Sequence, residues 1–265
     1  MSFYTTAEGV HIFTKIDGPA TAPWLVMSNS LAADHTMWDP QLALLTKTYR
    51  LLRYDTRGHG ASGAAAGPYS FEMLVEDVLA LMDHNRIERA AFIGISLGGM
   101  TGLGLALTHP ERVTRLVCAD ARADAPSSFV KGWDDRIALV DKNGMAGIVE
   151  ATLERWFEKQ TRAARPDFVK QIGKMIVKTS AVGYKGCVEA LKRLDYLKDL
   201  QTLRMPTLFV VGEGDQAAPP EAMRRMAESV PGAAFKSIAN AAHLSNLDNP
   251  SGFNNAIADF LQLTN

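Results

Sequence analysis

The chain has 265 residues, 28 Lys and Arg against 29 Asp and Glu, and 47% hydrophobic residues. That length suits one large α/β domain with a sizeable core, and the near-neutral balance leaves no electrostatic footprint for nucleic acid or an anionic membrane surface. The two cysteines, Cys118 and Cys187, have no partners at metal-ligand spacing and argue against a disulfide framework.

Met1 to Thr6 carries no basic stretch leading into an apolar one, and no apolar run approaches the roughly twenty residues of a membrane helix; a soluble, cytoplasmic protein is expected. Val10 to Ile16 alternates as a strand, closed by the turn residues Asp17-Gly18-Pro19. Trp24 to Met27 reads as a short buried strand running into Ser28-Asn29-Ser30-Leu31. A helix is expected over Met37 to Leu45 and a strand over Arg50 to Asp55, which leads into the glycine-rich turn Thr56-Arg57-Gly58-His59-Gly60-Ala61-Ser62. Ser70 caps a helix whose apolar positions Leu74, Val78, Leu81 and Met82 recur at helical spacing.

The next stretch, Ala91-Phe92-Ile93-Gly94-Ile95-Ser96-Leu97-Gly98-Gly99-Met100, concentrates the chemistry. An apolar strand turns abruptly into a helix of small residues, with a serine flanked two positions away on each side by glycine, the pattern of a nucleophile elbow. Such a serine takes a strained backbone conformation to lift its hydroxyl clear, and side chains at Gly94 or Gly98 would collide with the adjoining strand or helix. Val113 to Ala119 is the following strand, and Cys118 within it is expected to be a buried structural thiol.

Strands this continuously apolar belong to a parallel sheet covered by helices. The alternation stops between Asp124 and Leu200, where amphipathic helices such as Gly147 to Phe157 and Phe168 to Lys178 occur without a convincing strand. This segment is expected to be a helical cap over the crevice at the carboxyl edge of the sheet. The rhythm resumes with a strand over Pro206 to Val211, a helix over Pro219 to Ser229, a strand over Ala234 to Ile238 and a helix over Pro250 to Leu263. The expected division is a core of residues 1–123 and 201–265 and a cap of residues 124–200.

A serine hydroxyl needs a base. His11, His84 and His109 fall in a strand or near helix ends and are expected at the surface, whereas His35 and His59 stay open as loop residues. His243, in Ala239-Asn240-Ala241-Ala242-His243-Leu244-Ser245 after the last strand, reaches the same sheet edge as Ser96 and is the preferred base. Asp215 follows the preceding strand and would orient the imidazole, with Glu213 as competitor. Backbone N–H groups of Leu97 and Leu31 are the expected oxyanion donors, and Ser30 holds that loop or touches substrate. The turn at Asp55 to Ser62 is read as a buried ionic contact beneath the site rather than as catalytic.

The elbow, that turn, the acid run Gly212 to Pro219 and the histidine run together resemble the α/β-hydrolase superfamily across nearly the whole chain, in its order of serine, acid and histidine. The resemblance implies a mostly parallel eight-stranded sheet with helices on both faces and a helical cap inserted after the sixth strand. More narrowly, Ser28-Asn29-Ser30-Leu31, Met37-Trp38-Asp39-Pro40-Gln41, Glu154-Arg155-Trp156-Phe157, Gly183-Tyr184-Lys185-Gly186-Cys187 and His243-Leu244-Ser245-Asn246 are similar to the 3-oxoadipate enol-lactonases. Two departures stand out: Ala32 where a glycine is usual, and Asp120-Ala121-Arg122-Ala123 in place of an asparagine-threonine pair at a position expected to face the substrate crevice.

The enol-lactonase resemblance implies hydrolysis of a small lactone through an acyl-enzyme on Ser96, without metal or organic cofactor. Arg122 is the candidate partner for a substrate carboxylate, or else a solvated surface arginine. Trp133 and Trp156 would line an apolar pocket or pack the cap on the core. A small-molecule lactone or ester is the expected partner, without nucleic acid or membrane, and a homo-oligomer is allowed though nothing requires one. Alternatives are a carboxylesterase, a carbon–carbon bond hydrolase of a related ring-cleavage product, a perhydrolase-like esterase, and a non-catalytic binding protein of the same fold.

Overall fold

Residues 2–263 are described by a computed structural model in which eight strands form one sheet. The strands are β1 (Ser2–Thr5), β2 (His11–Asp17), β3 (Trp24–Ser28), β4 (Arg50–Tyr54), β5 (Ala90–Ile95), β6 (Val113–Ala119), β7 (Thr207–Gly212) and β8 (Ala234–Ile238). Their order is β1-β2-β4-β3-β5-β6-β7-β8, antiparallel at the β1–β2 and β2–β4 pairs and parallel from β4 onward. The pattern along the chain yields seven of these strands. β1 supplies the eighth, and its four residues are mostly exposed at an antiparallel edge, so no buried face writes an alternation into them.

Every residue of β5 and β7 is buried, which fits their continuous apolar sequences and the helices on both faces of the sheet. On one face α2 (Phe71–His84) packs against α3 (Leu97–Thr108), and on the other α1 (Asp39–Leu45) meets the C-terminal helices. α2 starts where the serine cap predicts: Ser70 Oγ accepts from the Met73 N–H at 3.3 Å, and Leu74, Val78, Leu81 and Met82 point inward.

Between β6 and β7 lie α4 (Ser127–Asn143), α5 (Val149–Trp156), α6 (Lys159–Ala164), α7 (Pro166–Lys178) and α8 (Ala181–Leu191), with no named strand among the described residues. This insertion leaves and re-enters the sheet layer at one place, where the N–H groups of Tyr196 and Leu197 both donate to the Ala123 carbonyl, at 2.7 and 2.9 Å. It is also bonded to the far end of the chain, through Leu244 N–H to the Trp156 carbonyl at 3.1 Å. After β7 come α9 (Pro220–Ser229), then β8, α10 (Ser245–Asp248) and α11 (Pro250–Ala258).

Helix boundaries differ from the sequence pattern where caps intervene. The helix expected from Met37 opens as a 3₁₀ turn, His35–Trp38, because the Asp34 carboxylate accepts from the Thr36 N–H and starts the coil earlier. The final helix starts at Pro250 as expected, where Asn249 caps α11 by accepting from the Gly252 N–H at 3.0 Å, but the regular helix ends at Ala258 instead of Leu263. The α5 region begins with a 3₁₀ turn, Met145–Ile148, instead of a helix from Gly147.

The order reverses at β3, which has β4 on one side and β5 on the other. A crevice therefore opens at the carboxyl ends of β3 and β5. The loops after β3, β5, β6, β7 and β8 all emerge at this edge, so residues far apart in sequence converge there.

Candidate active site

Ser96 sits between β5 and α3 with φ 54 and ψ −118, a left-handed conformation that a serine adopts only under strain. The turn is tight enough that a Cβ on Gly94 would lie 2.2 Å from the Gly98 carbonyl oxygen, and one on Gly98 would lie 2.3 Å from that of Ser28. Glycine at both positions is therefore a steric requirement, and the strain is held by neighbours: the Ser96 N–H donates to the Ala119 carbonyl and the Met100 N–H to that of Ser96, each at 2.9 Å.

Three side chains meet at this turn. His243 Nε2 lies 2.9 Å from Ser96 Oγ, and its Nδ1 lies 2.8 Å from Asp215 Oδ2. The other oxygen of Asp215 accepts from the N–H groups of Ala217 and Ala218 at 2.7 and 3.0 Å, which leaves Oδ2 for the imidazole. All three residues are buried. Glu213 does not take this place; it is exposed and accepts from Ser237 Oγ. Burial pushes the His243 imidazole down, but the charge and hydrogen bond of Asp215 outweigh it, with help from Asp120, and leave its pKa above the usual value.

Among the described residues no acceptor takes the N–H of Leu97 or of Leu31. Leu97 opens α3, where the first N–H groups have no intrahelical partner. Leu31 follows Asn29, whose amide donates to the Tyr54 carbonyl at 2.7 Å and whose Oδ1 accepts from Trp38 Nε1 at 3.0 Å. Ser28 Oγ lies 2.6 Å from Tyr54 Oη. The Ser28-Asn29-Ser30 run thus works as a brace for the loop, and Ala32 completes it at φ 63, in the left-handed region that explains the glycine expected there.

A small cavity of about 30 Å³ lies over Ser96 and His243, with Ser30, Leu31 and Ala32 on the core side. Trp133, Trp156 and Tyr184 of the insertion line it together with Arg136 and Arg155. Trp133 and Trp156 lie on its wall, one of the two places the sequence reading allows. Arg122 does not line it. Its guanidinium is held by Asp124 at 3.0 Å and lies over the Phe129 ring.

Arg136 and Arg155 are the charged groups that sequence reasoning missed. Arg136 is buried, donates to Tyr184 Oη at 3.0 Å and to Thr152 Oγ1, and lies over the Trp133 ring. Among the described residues no carboxylate is within ion-pair distance of either arginine. Burial, and then the charge of Arg136, hold the Arg155 pKa below its usual value. Two guanidiniums at one cavity without an acid raise the local potential and suit an anionic group on whatever binds.

The remaining residues fall outside this constellation. Arg57 is buried in a bidentate pair with Asp77, with two contacts of 2.7 Å, and does not face the cavity. His59 is buried with Nδ1 on the Arg57 carbonyl, and burial pushes its pKa down. His35 bonds Asp55 at 2.9 Å. Cys118 and Cys187 are buried free thiols whose pKa values burial pushes up. Asp120, expected at the substrate crevice, is instead fully buried, with its carboxylate bonded to Gly212 and Ser245.

Known proteins share this arrangement of elements. The family described as alpha/beta hydrolase fold matches residues 23–250. A 3-oxoadipate enol-lactonase of Acinetobacter baylyi is 34% identical over 252 residues, covering 95% of this chain and 93% of that protein. The enol-lactonase structure from Burkholderia xenovorans LB400 superposes with a TM-score of 0.94 at 37% identity, covering 98% of this chain and 100% of the other. A thermophilic esterase from Thermogutta terrifontis gives a TM-score of 0.91 at 26% identity, covering 98% and 97%.

Proposed function

This chain belongs to the alpha/beta hydrolase fold family, and from that premise we propose that it is a serine hydrolase opening a small carboxylate-bearing lactone of the 3-oxoadipate enol-lactone type. The observation that carries the chemistry is the unbroken run from Ser96 Oγ through the His243 imidazole to Asp215, at 2.9 and 2.8 Å. The likeness to enol-lactonases at 34% and 37% identity supports the lactone.

In this reading Ser96 Oγ attacks the lactone carbonyl while His243 Nε2 takes its proton, and Asp215 stabilises the imidazolium. The oxyanion that develops on the former carbonyl is met by the N–H groups of Leu97 and Leu31, which are free to donate. The ring C–O bond then breaks, His243 returns the proton to the enol, and the enol becomes the ketone. Water, deprotonated by the same imidazole, releases the acyl group from Ser96.

Residues 124–200 act as the cap on a core of residues 1–123 and 201–265, whose ends at Met1 and Thr264–Asn265 lie outside the described residues. Trp133 and Trp156 form its apolar wall, and Ser30 lies opposite them. Arg136, seconded by Arg155, takes the substrate carboxylate in place of Arg122. Arg136 is the better first partner because its guanidinium is already fixed by Tyr184 and Thr152.

The test is a substrate panel: the enol-lactone, aryl esters with and without a carboxylate, and a carbon–carbon ring-cleavage substrate. The reading predicts the highest kcat/KM for the enol-lactone. Negligible lactone turnover beside rapid ester or carbon–carbon cleavage would replace it with one of the other hydrolase activities.

A further inference from the structure

Behind the relay lies a second carboxyl that the mechanism above leaves unused. Asp120 follows β6, has no exposed surface and sits at φ 45. Its Oδ1 accepts from the Gly212 N–H at 2.8 Å. Its Oδ2 lies 2.5 Å from Ser245 Oγ and 3.4 Å from the Ser245 N. Gly212 ends β7, three residues before Asp215, and Ser245 comes two residues after His243. One carboxyl therefore joins the strand end that carries the acid to the loop that carries the imidazole.

This arrangement is costly. Among the described residues no lysine or arginine pairs with Asp120, and a carboxyl buried without a cation is paid for in desolvation. The left-handed backbone adds strain of its own. An asparagine would keep the bond from the Gly212 N–H and make one to Ser245 Oγ, giving up only the long contact with the Ser245 N–H, without a buried acid. Costs gathered at one position beside the reacting groups point to a role other than stability.

We propose, on the basis of the serine-hydrolase reading, that Asp120 is a positioning residue that clamps the His243 loop to the Asp215 strand and so fixes the imidazole against both of its partners. The charged and titratable groups around it are Asp215, His243 and Cys118, the last two residues earlier on β6. Burial first, and then the Asp215 charge, push the Asp120 pKa up to about 8 against the pull of His243, Ser245 and Gly212. The upward push favours the neutral carboxyl, whose shape and main hydrogen bonds an asparagine shares.

The experiment compares Asp120→Ala, Asp120→Asn and Ser245→Ala by kcat, KM and the NMR signal of the His243 Nδ1 proton. Loss of the clamp misplaces the imidazole, so Asp120→Ala should lower kcat about 10- to 100-fold with KM little changed, and its Nδ1 proton should exchange with solvent. Asp120→Asn should recover most of kcat at pH 7 and keep the signal. The proposal is overturned if Asp120→Ala retains kcat within about twofold, or if Asp120→Asn is as slow as Asp120→Ala. Should Asp120→Ala not fold, Ser245→Ala removes the hydroxyl bond to Oδ2 and leaves only the long backbone contact; a lowered kcat at constant KM supports the clamp, and an unchanged kcat overturns it. Ser96→Ala measured alongside separates the two claims, since activity surviving there sinks the serine reading itself.

Discussion

The carboxyl edge of the sheet and the helical insertion above it contribute to one cavity, yet they are built on opposite terms. At the sheet edge the backbone dictates residue identity: Ser96 sits at φ 54 between two glycines that admit no Cβ, and each of its partners hangs from the end of a strand. In the insertion the backbone is ordinary helix, and function is written only in which side chains face inward. In the proposed reading the edge holds the groups that handle protons and developing charge, while Trp133, Arg136, Arg155 and Trp156 of the insertion, which line the same cavity, hold and orient the ligand. Changes at the edge should therefore fall on kcat, and changes in the insertion on KM.

The sharpest break is Ser96→Ala, which removes the proposed nucleophile and should cut kcat by about 10⁴- to 10⁶-fold while leaving ligand affinity intact. Asp215→Asn should cost up to about 10⁴-fold by turning the imidazole to the wrong tautomer. Steady-state kinetics on an aryl ester checks both. If either variant changed KM alone, the division between edge and insertion would fail.

On the insertion side, Arg136→Gln should raise KM for a carboxylated substrate by about 10- to 100-fold, the worth of one buried charge-assisted hydrogen bond. Neutral esters should be affected far less. Equal losses on charged and neutral substrates would mean that Arg136 supports the packing of Trp133 and Tyr184 rather than the ligand.

Two pH experiments sharpen the contrast further. His243 must be neutral to act as base and its pKa is raised above 6.5, so kcat/KM should fall with acid through a midpoint above that value. The stability owed to this raised imidazole is present below 6.5 and lost as pH rises through the folded value. Asp120 is also raised, from 3.8 to about 8, so the folded state holds its proton more tightly than the unfolded chain and stability declines across that window. Asp120→Asn should therefore raise Tm over wild type, by a margin that grows from acid pH to about 8. A constant margin would mean that the carboxyl titrates alike in the folded and the unfolded chain.

The smallest effect belongs to the loop facing Ser96. Ala32→Gly relieves a left-handed alanine at a gain of about 1 kcal/mol, offset by the greater unfolded-state entropy of glycine, so Tm should move by a few degrees at most.

The same contrast explains what could be read from the chain. Ser96, Asp215 and His243 announce themselves because each follows a strand at a turn that only certain residues permit, and order along the chain does the rest. Arg136 does not, because α4 also carries Lys131, Asp134, Asp135 and Lys142, and an inward arginine among them looks like a solvated one. One signal was available: Trp133, Arg136 and Val140 fall at helical spacing on a single face, which places the arginine on the apolar stripe. Asp120 was legible as unusual but not as buried, since a positive φ at a non-glycine residue leaves no mark in the sequence. β1 escaped for want of a buried face, and α10 because four residues without a side-chain cap are too few to show a helical period.

Intact-mass analysis of the enzyme quenched in acid during turnover of an aryl ester tests the central claim most directly. The account predicts that the protein gains the mass of one acyl group, that peptide mapping puts it on Ser96, and that Ser96→Ala gains none. An acyl group on another residue, or turnover by Ser96→Ala at the wild-type rate, would contradict it.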